Sequence, residues 1–225
     1  MLVTKYTHSC VRLESADGAL VLDPGSFSDG DELQQAIDGV DAILVTHEHP
    51  DHLDVGAVAD LLAERSQVRV WGPQPVADLL MDRSKALRER VTVVGAGEEF
   101  EAGGLAVTSH GGQHALIHPD LPVVPNVAYL VAGSVLHPGD SFTVPTVPVQ
   151  TLLLPLHAPW SKVNEVLDYL VAVRADAVHP IHDGLLNDRG RAIVEGHVQR
   201  VVEAYGPHYA PLGVGESTAG ESTGR

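Results

Sequence analysis

The sequence predicts a layered α/β fold, and three observations carry that prediction. Short runs rich in β-branched and aliphatic residues alternate with amphipathic helical segments, the pattern of strands packed under helices. Of the 225 residues 44% are hydrophobic, with 22 Gly and 15 Pro, a globular composition rather than a disordered, collagenous or coiled-coil one. No repeat of domain scale and no linker divides the chain, so one domain is expected over residues 1–212, followed by a disordered tail over 213–225. A chain of this size buries roughly 70% of the surface it exposes when unfolded. It needs no disulfide or structural metal to fold, so any metal is expected to be functional.

Leu2 to Thr7, Cys10 to Glu14 and Ala19 to Asp23 read as a β-meander, broken at Ser9 and at the turn-forming pair Asp17-Gly18. Ala42 to Thr46, AILVT, is a continuous apolar run too short for a helix, hence a strand buried on both faces. Asp54 is placed to cap a helix over Val55 to Glu64, where Val55, Val58, Ala59, Leu61 and Leu62 form an apolar stripe. Val68 to Trp71 is the next strand, and a helix from Pro75 to Leu80 has proline in its first turn. Val91 to Val94, Leu105 to Ser109, Val127 to Val131 and Val135 to His137 are further strands. A buried strand at Thr151 to Leu154, a helix at Val163 to Val173, a strand at Ala175 to Val178 and a helix at Gly190 to Tyr205 complete the series. The closing GVGESTAGESTGR repeats GEST, is rich in Gly and Ser, and is expected to make no core contacts.

Charge narrows the function. With 14 Lys and Arg against 30 Asp and Glu the formal balance is −16, and no basic run offsets it, which argues against a nucleic-acid partner. A membrane span needs about 20 uninterrupted apolar residues. Even TLLLPLHAPW is broken by Pro155, His157 and Pro159. Cys10 is the single cysteine, and MLVTKYTHSCVRLE lacks the basic and apolar regions of a signal peptide, so a reducing cytoplasm is expected. The expected partner is a small-molecule substrate, with no nucleic acid and no membrane. A homo-oligomer is compatible with the sequence, which does not specify one.

The chemistry concentrates in the 13 histidines. Directly after AILVT comes HEHPDH, placing His47, His49, Asp51 and His52 at the end of a buried strand. Alternate side chains of an extended segment share a face, so His47 and His49 can converge on one cation while the turn at Pro50 sends Asp51 and His52 toward a second.

This cluster resembles the HxHxDH signature of the metallo-β-lactamase superfamily. The resemblance implies a four-layer αβ/βα sandwich with one or two metals at strand ends. It also implies a third histidine, a bridging aspartate and a last histidine, in that order. GGQHA offers His114, HPGD offers Asp140 and PIHDG offers His182, so the likeness spans nearly the whole chain. His110 and His118 rival His114, which its GGQHA context favours. Asp140 also suits a plain turn, and its place beside His137 after a strand favours the ligand reading. His179 rivals His182, which Pro180 and the Asp183-Gly184 turn put at a loop tip.

By resemblance, His47, His49 and His114 would hold one metal, Asp51, His52 and His182 a second, and Asp140 would bridge them. Nitrogen and carboxylate donors suit two divalent ions, zinc first, with manganese or iron compatible. Asp23 in LDPG resembles the family's aspartate that orients a metal-bound histidine; turn capping is its other reading. THSCVRLE before LVLDPG resembles the opening of the ascorbate-6-phosphate lactonase-like branch, although His8 and Ser9 match its turn only in part and no ligand role is expected of His8.

The implied activity is that of a hydrolase whose metal-bound hydroxide attacks a small-molecule ester, lactone, amide or phosphoester. Catalytic roles fall to Asp51 and to His157 in PLHAPW, a loop histidine able to serve as acid or substrate contact. Two alternatives stand beside it: a mononuclear iron thiol or persulfide oxygenase of the same fold, and a non-catalytic metal-binding protein. Against the last, all seven ligand positions are filled.

Overall fold

Alternation of apolar side chains decides how the opening residues pair. In the computed structural model, which describes residues 1–219, β1 (Leu2–Lys5), β2 (Val11–Glu14) and β3 (Ala19–Leu22) form an antiparallel meander. Its register sets Val3 against Leu13 and Leu13 against Leu20, so all three side chains enter one core. β4 (Ala42–Leu44), β5 (Arg69–Gly72) and β6 (Val91–Val93) extend the sheet in parallel. The crossovers that parallel pairing requires are α1 (Gly30–Ile37), α2 (Val55–Glu64) and α3 (Gln74–Arg83).

A second sheet repeats this plan. β7 (Glu99–Ala102), β8 (Leu105–Gly111), β9 (Val127–Val131) and β10 (Val135–His137) are antiparallel. β11 (Thr151–Pro155), β12 (Ala177–Ile181) and β13 (His208–Tyr209) continue it in parallel, spaced by α4 (Val163–Val173) and α5 (Asp188–Tyr205). The sheets face each other across a core of Leu13, Leu22, Leu44, Tyr129, Leu153 and Ile181. The first sheet's outer face packs on α1 to α3, and the second's on α4 and α5. Helix, sheet, sheet and helix thus give the four-layer αβ/βα sandwich. β4 is buried on both faces as AILVT predicts: Ile43 faces the helices, Ala42 and Leu44 the opposite sheet.

Several elements differ from expectation. The α1 helix was not foreseen; Asp29 caps it by accepting from the Glu32 amide at 2.9 Å, and only Leu33, Ala36 and Ile37 are buried. β12 starts at Ala177 and runs through Pro180, which stands opposite Leu154 in the parallel register. The expectation that the tail is disordered is corrected for its first half, although none of its residues there joins a core. Ser217–Ala219 forms β14, antiparallel to β1, with Thr218 opposite Val3 and the Ser217 hydroxyl 2.8 Å from that of Thr4. β1 would otherwise end the sheet with unpaired backbone groups, and this pairing satisfies them. The rest of the expected tail, 220–225, lies outside the described residues. Among the described residues no helix is long and apolar enough to cross a membrane.

Candidate metal centre

The site forms where the two sheets end together. HEHPDH leaves β4 as a tight loop: the amides of His52 and Leu53 both donate to the His49 carbonyl at 3.0 Å, and Asp54 caps α2 through the Ala57 amide at 2.9 Å. Asp23, fully buried after β3, fixes the loop's root. Its Oδ1 accepts from the Thr46 amide and its Oδ2 from the Thr46 hydroxyl, both at 2.7 Å. The second sheet contributes His114 from the loop after β8, Asp140 after β10 and His182 after β12. Gly139 lets Asp140 in: at φ +59° any Cβ there would stand 2.3 Å from Asn126 Oδ1 and 2.6 Å from Thr46 Cβ. Asn126 Oδ1 in turn accepts from the Asp140 amide at 3.0 Å.

Two groups of donor atoms result, His47, His49, His114 and Asp140 in one, His8, Asp51, His52 and His182 in the other. Asp140 joins them. Its Oδ1 lies 3.0 Å from His52 Nε2 and 3.1 Å from His182 Nε2, and its Oδ2 3.3 Å from His114 Nε2.

The proton positions follow from the partners. Nδ1 of His114 meets the Ala115 carbonyl at 2.6 Å, and Nδ1 of His182 meets the His157 carbonyl at 2.7 Å. A carbonyl only accepts, so both Nδ1 atoms carry hydrogen and both Nε2 atoms present a lone pair. His52 Nδ1 donates to Asp23 Oδ2 at 2.6 Å. The Thr46 hydroxyl spends its hydrogen on Asp23, so at 3.0 Å it accepts from His47 Nδ1. Asp23 thus orients His52 directly and His47 through Thr46. His47 Nε2 then faces His49 Nδ1 at 2.9 Å.

His8 is the converse. The Gly184 amide donates to its Nδ1 at 3.1 Å, so the ring hydrogen sits on Nε2 and points at Asp51 Oδ2, 3.1 Å away. Although grouped with the second set, His8 is therefore built to donate to Asp51 rather than to bind a cation.

Electrostatics keep His47, Asp51 and Asp140 in ligand form. Burial, reinforced by His52, holds the His47 imidazole well below the ordinary range, hence neutral. Burial works against ionisation of Asp140, but His52 and His182 outweigh it and hold the carboxyl well below normal. Asp51 falls to about 2: burial would raise it, and the His8 hydrogen bond prevails. His52 is raised well above the usual imidazole range, because Asp140 and Asp23 outweigh its burial. The same two carboxylates would favour a cation at its Nε2.

The rival histidines lie elsewhere. His110 stays on β8, His118 is exposed beside Asp120, and His179 Nδ1 donates to the Ala210 carbonyl at 2.7 Å. Buried His137 lies 2.9 Å from the Ser9 carbonyl through Nε2. His157 is half-buried and reaches the site through its backbone carbonyl. Sequence reasoning missed three contributors. These are His8 as a donor, Asn126 as the brace of Asp140, and Trp160, whose Nε1 donates to Asp140 Oδ2 at 2.7 Å and whose ring packs on His114. A lone tryptophan or asparagine in a loop carries no spacing signal that would have marked it.

Comparison with known proteins agrees with this architecture. Residues 2–182 match the model of the beta-lactamase superfamily domain. Protein Rv0786c of Mycobacterium tuberculosis is 39% identical over 205 residues, 88% of this chain and 91% of that protein. A UPF0173 metal-dependent hydrolase of Xanthobacter autotrophicus is 31% identical over 54% of this chain and 51% of its own. Igni18, a metallo hydrolase from Ignicoccus hospitalis, superposes with a TM-score of 0.72 at 17% identity, covering 96% of this chain and 97% of its own. The narrower likeness to the lactonase branch rests on the opening motif alone. On fold, motif and the extent of the match, the chain belongs to the beta-lactamase superfamily.

Proposed function

We propose that this metal-dependent hydrolase of the metallo-β-lactamase fold cleaves an ester, lactone, amide or phosphoester bond of a small molecule, using two divalent cations held by the His/Asp centre. One observation carries the reading. Nε2 of His52, His114 and His182 are buried and converge on the Asp140 carboxylate at 3.0–3.3 Å, and neither these nitrogens nor Asp140 Oδ1 makes a hydrogen bond of good geometry. Each such orphaned group costs about 1–3 kcal/mol unless something binds among them. The donors fit: lone-pair imidazole nitrogens and ionised carboxylates are what zinc, manganese and iron accept. His47, His49 and His114 would hold one ion, Asp51, His52 and His182 the other, with Asp140 offering one oxygen to each group. Divalent cations there would supply Lewis acidity and activate water near neutral pH.

The chain's own groups do the rest. Asp23 and Thr46 lock the imidazoles of His52 and His47. His8 holds Asp51, an ionised carboxylate with 22% of its side chain exposed, to which we assign a catalytic role beside its place among the donors. His157, on the loop whose carbonyl fixes His182, is assigned the leaving-group proton. Trp160 covers the outer side of Asp140. The single buried cysteine suits a reducing cytoplasm, where we place the protein.

The test is elemental analysis with kinetics on protein purified without chelator. About two zinc or manganese ions per chain are expected. In His47→Ala and Asp140→Ala the metal content should fall and turnover of esters, lactones and phosphodiesters should vanish, with circular dichroism unchanged. Full activity in both variants, or turnover insensitive to chelator, would refute the site. One iron per chain with thiol-dependent oxygen uptake would replace the hydrolase by the oxygenase.

A further inference from the structure

A cavity of about 500 Å³ adjoins the centre, lined chiefly by Ala115, Leu116, Ile117, Phe142, Pro159 and Trp160. None of the donor residues lines it, but neighbours and partners of two of them do. Ala115 follows His114 and its amide donates to the Asp140 carbonyl at 2.8 Å. Phe142 packs edge-on against Trp160 with ring centres 5.1 Å apart, and Trp160 donates to Asp140 itself. The lining is apolar where folding does not require it: Leu116 is 55% and Ile117 43% exposed. Six of the nine lining residues are apolar, with Ser161, Lys162 and Glu165 forming the polar side, so the cavity can bury the apolar part of a ligand. Two ionised residues also line the cavity, Lys162 and Glu165, and they pair with each other at 3.4 Å. The wall therefore offers no unpaired cation to a phosphate or sulfate, and the formal charge of −16 opposes anions further. A second cavity, about 430 Å³ at the C-terminal ends of α4 and α5, is lined by no residue adjacent in sequence to a donor.

We propose that the cavity beside Trp160 receives an uncharged apolar group of the substrate, an alkyl or aryl acyl portion next to the bond that is cleaved. The substrate class is then neutral esters or lactones bearing an apolar substituent, an assignment that rests on the hydrolase reading above. Its volume suits such a group. Trp160 connects the two functions: it lines the cavity, and its N–H donates to the carboxylate between the donor groups. A seated acyl chain would thus bring its carbonyl next to Asp140.

The experiment pairs kinetics with a binding measurement that needs no turnover. On protein purified without chelator, kcat/KM for p-nitrophenyl esters should rise about threefold per methylene from acetate to octanoate. In the double variant Leu116→Glu/Ile117→Glu, octanoate should lose at least about tenfold while acetate changes by less than about twofold. p-Nitrophenyl hexyl ether, which has no hydrolysable bond, should quench tryptophan emission saturably in the wild type and not in the variant. Saturable quenching without cleavage of any ester would uphold the apolar subsite while removing the hydrolase reading. Ester turnover flat with chain length, without saturable quenching, would overturn the subsite and leave the hydrolase intact. Self-association abolished by the double variant would assign the surface to a second copy of the chain. Co-sedimentation with phosphatidylcholine vesicles would assign it to lipid. Either result would overturn the proposal.

Discussion

At the scale of residues, the centre depends on buried side chains that stand behind the donor atoms. Asp23 is the clearest case, because one buried carboxylate anchors the Thr46 amide, the Thr46 hydroxyl and the His52 ring. Asp23→Asn keeps the volume but puts a donor where an acceptor is needed. We expect it to weaken metal binding about 10–100-fold, read by competition with a chromophoric chelator, with little change in melting temperature. Undiminished affinity would show that the Asp23 contacts are dispensable. The residues legible in the sequence were those whose signal is density or order. Four donors within HEHPDH stand out, and His114, Asp140 and His182 stand out only once that cluster names the order to look for. His8 had no such signal. Its role depends on Gly184, 176 positions away in the chain, donating to the ring and so deciding which nitrogen keeps the hydrogen.

At the scale of elements, the loop after β12 is held by a buried ion network. Lys5 Nζ on β1 lies 3.1 Å from Asp183 Oδ1, and Arg191 on α5 holds Asp183 Oδ2. Both Lys5 and Asp183 are almost wholly buried, so removing the carboxylate leaves an ammonium without its counter-charge. Asp183→Asn should cost about 3–5 kcal/mol, measured by urea denaturation. A loss below about 1 kcal/mol would mean that water reaches Lys5 once the carboxylate is gone. The network also steadies His182, held at φ +55° next to Asp183 with its amide bonded to the His8 carbonyl at 2.9 Å. Elements with strong periodicity were readable: α2 and α4 begin and end where their apolar stripes do. α1 and β14 were not, since α1 buries three residues on a polar background and β14 is a Ser-Thr-Ala edge strand whose only reason to be extended is the exposed rim of β1.

At the scale of the whole molecule, the donor atoms come from both sheets, with His47, His49, Asp51 and His52 on one side and His114, Asp140 and His182 on the other. Only the folded chain brings them together, so cations bound there stabilise it by mass action. At a hundredfold excess over Kd the gain is about 2.7 kcal/mol for one site, roughly 5–10 °C in melting temperature for a chain of this size. Thermal scans with chelator and with added zinc or manganese should show that interval, and its absence would argue that no cation spans the sheets. The core between the sheets explains why the apo chain should nevertheless remain folded. Cys10, the sole thiol, is 1% exposed among Tyr6, Val21 and Val45, and burial raises its pKa well above the usual thiol range. It can react with a maleimide or disulfide reagent only when the meander parts from its helices. The protein thus carries a built-in clock for the opening of its first half, in which labelling rate reports how often that half breathes and how far a bound cation slows it.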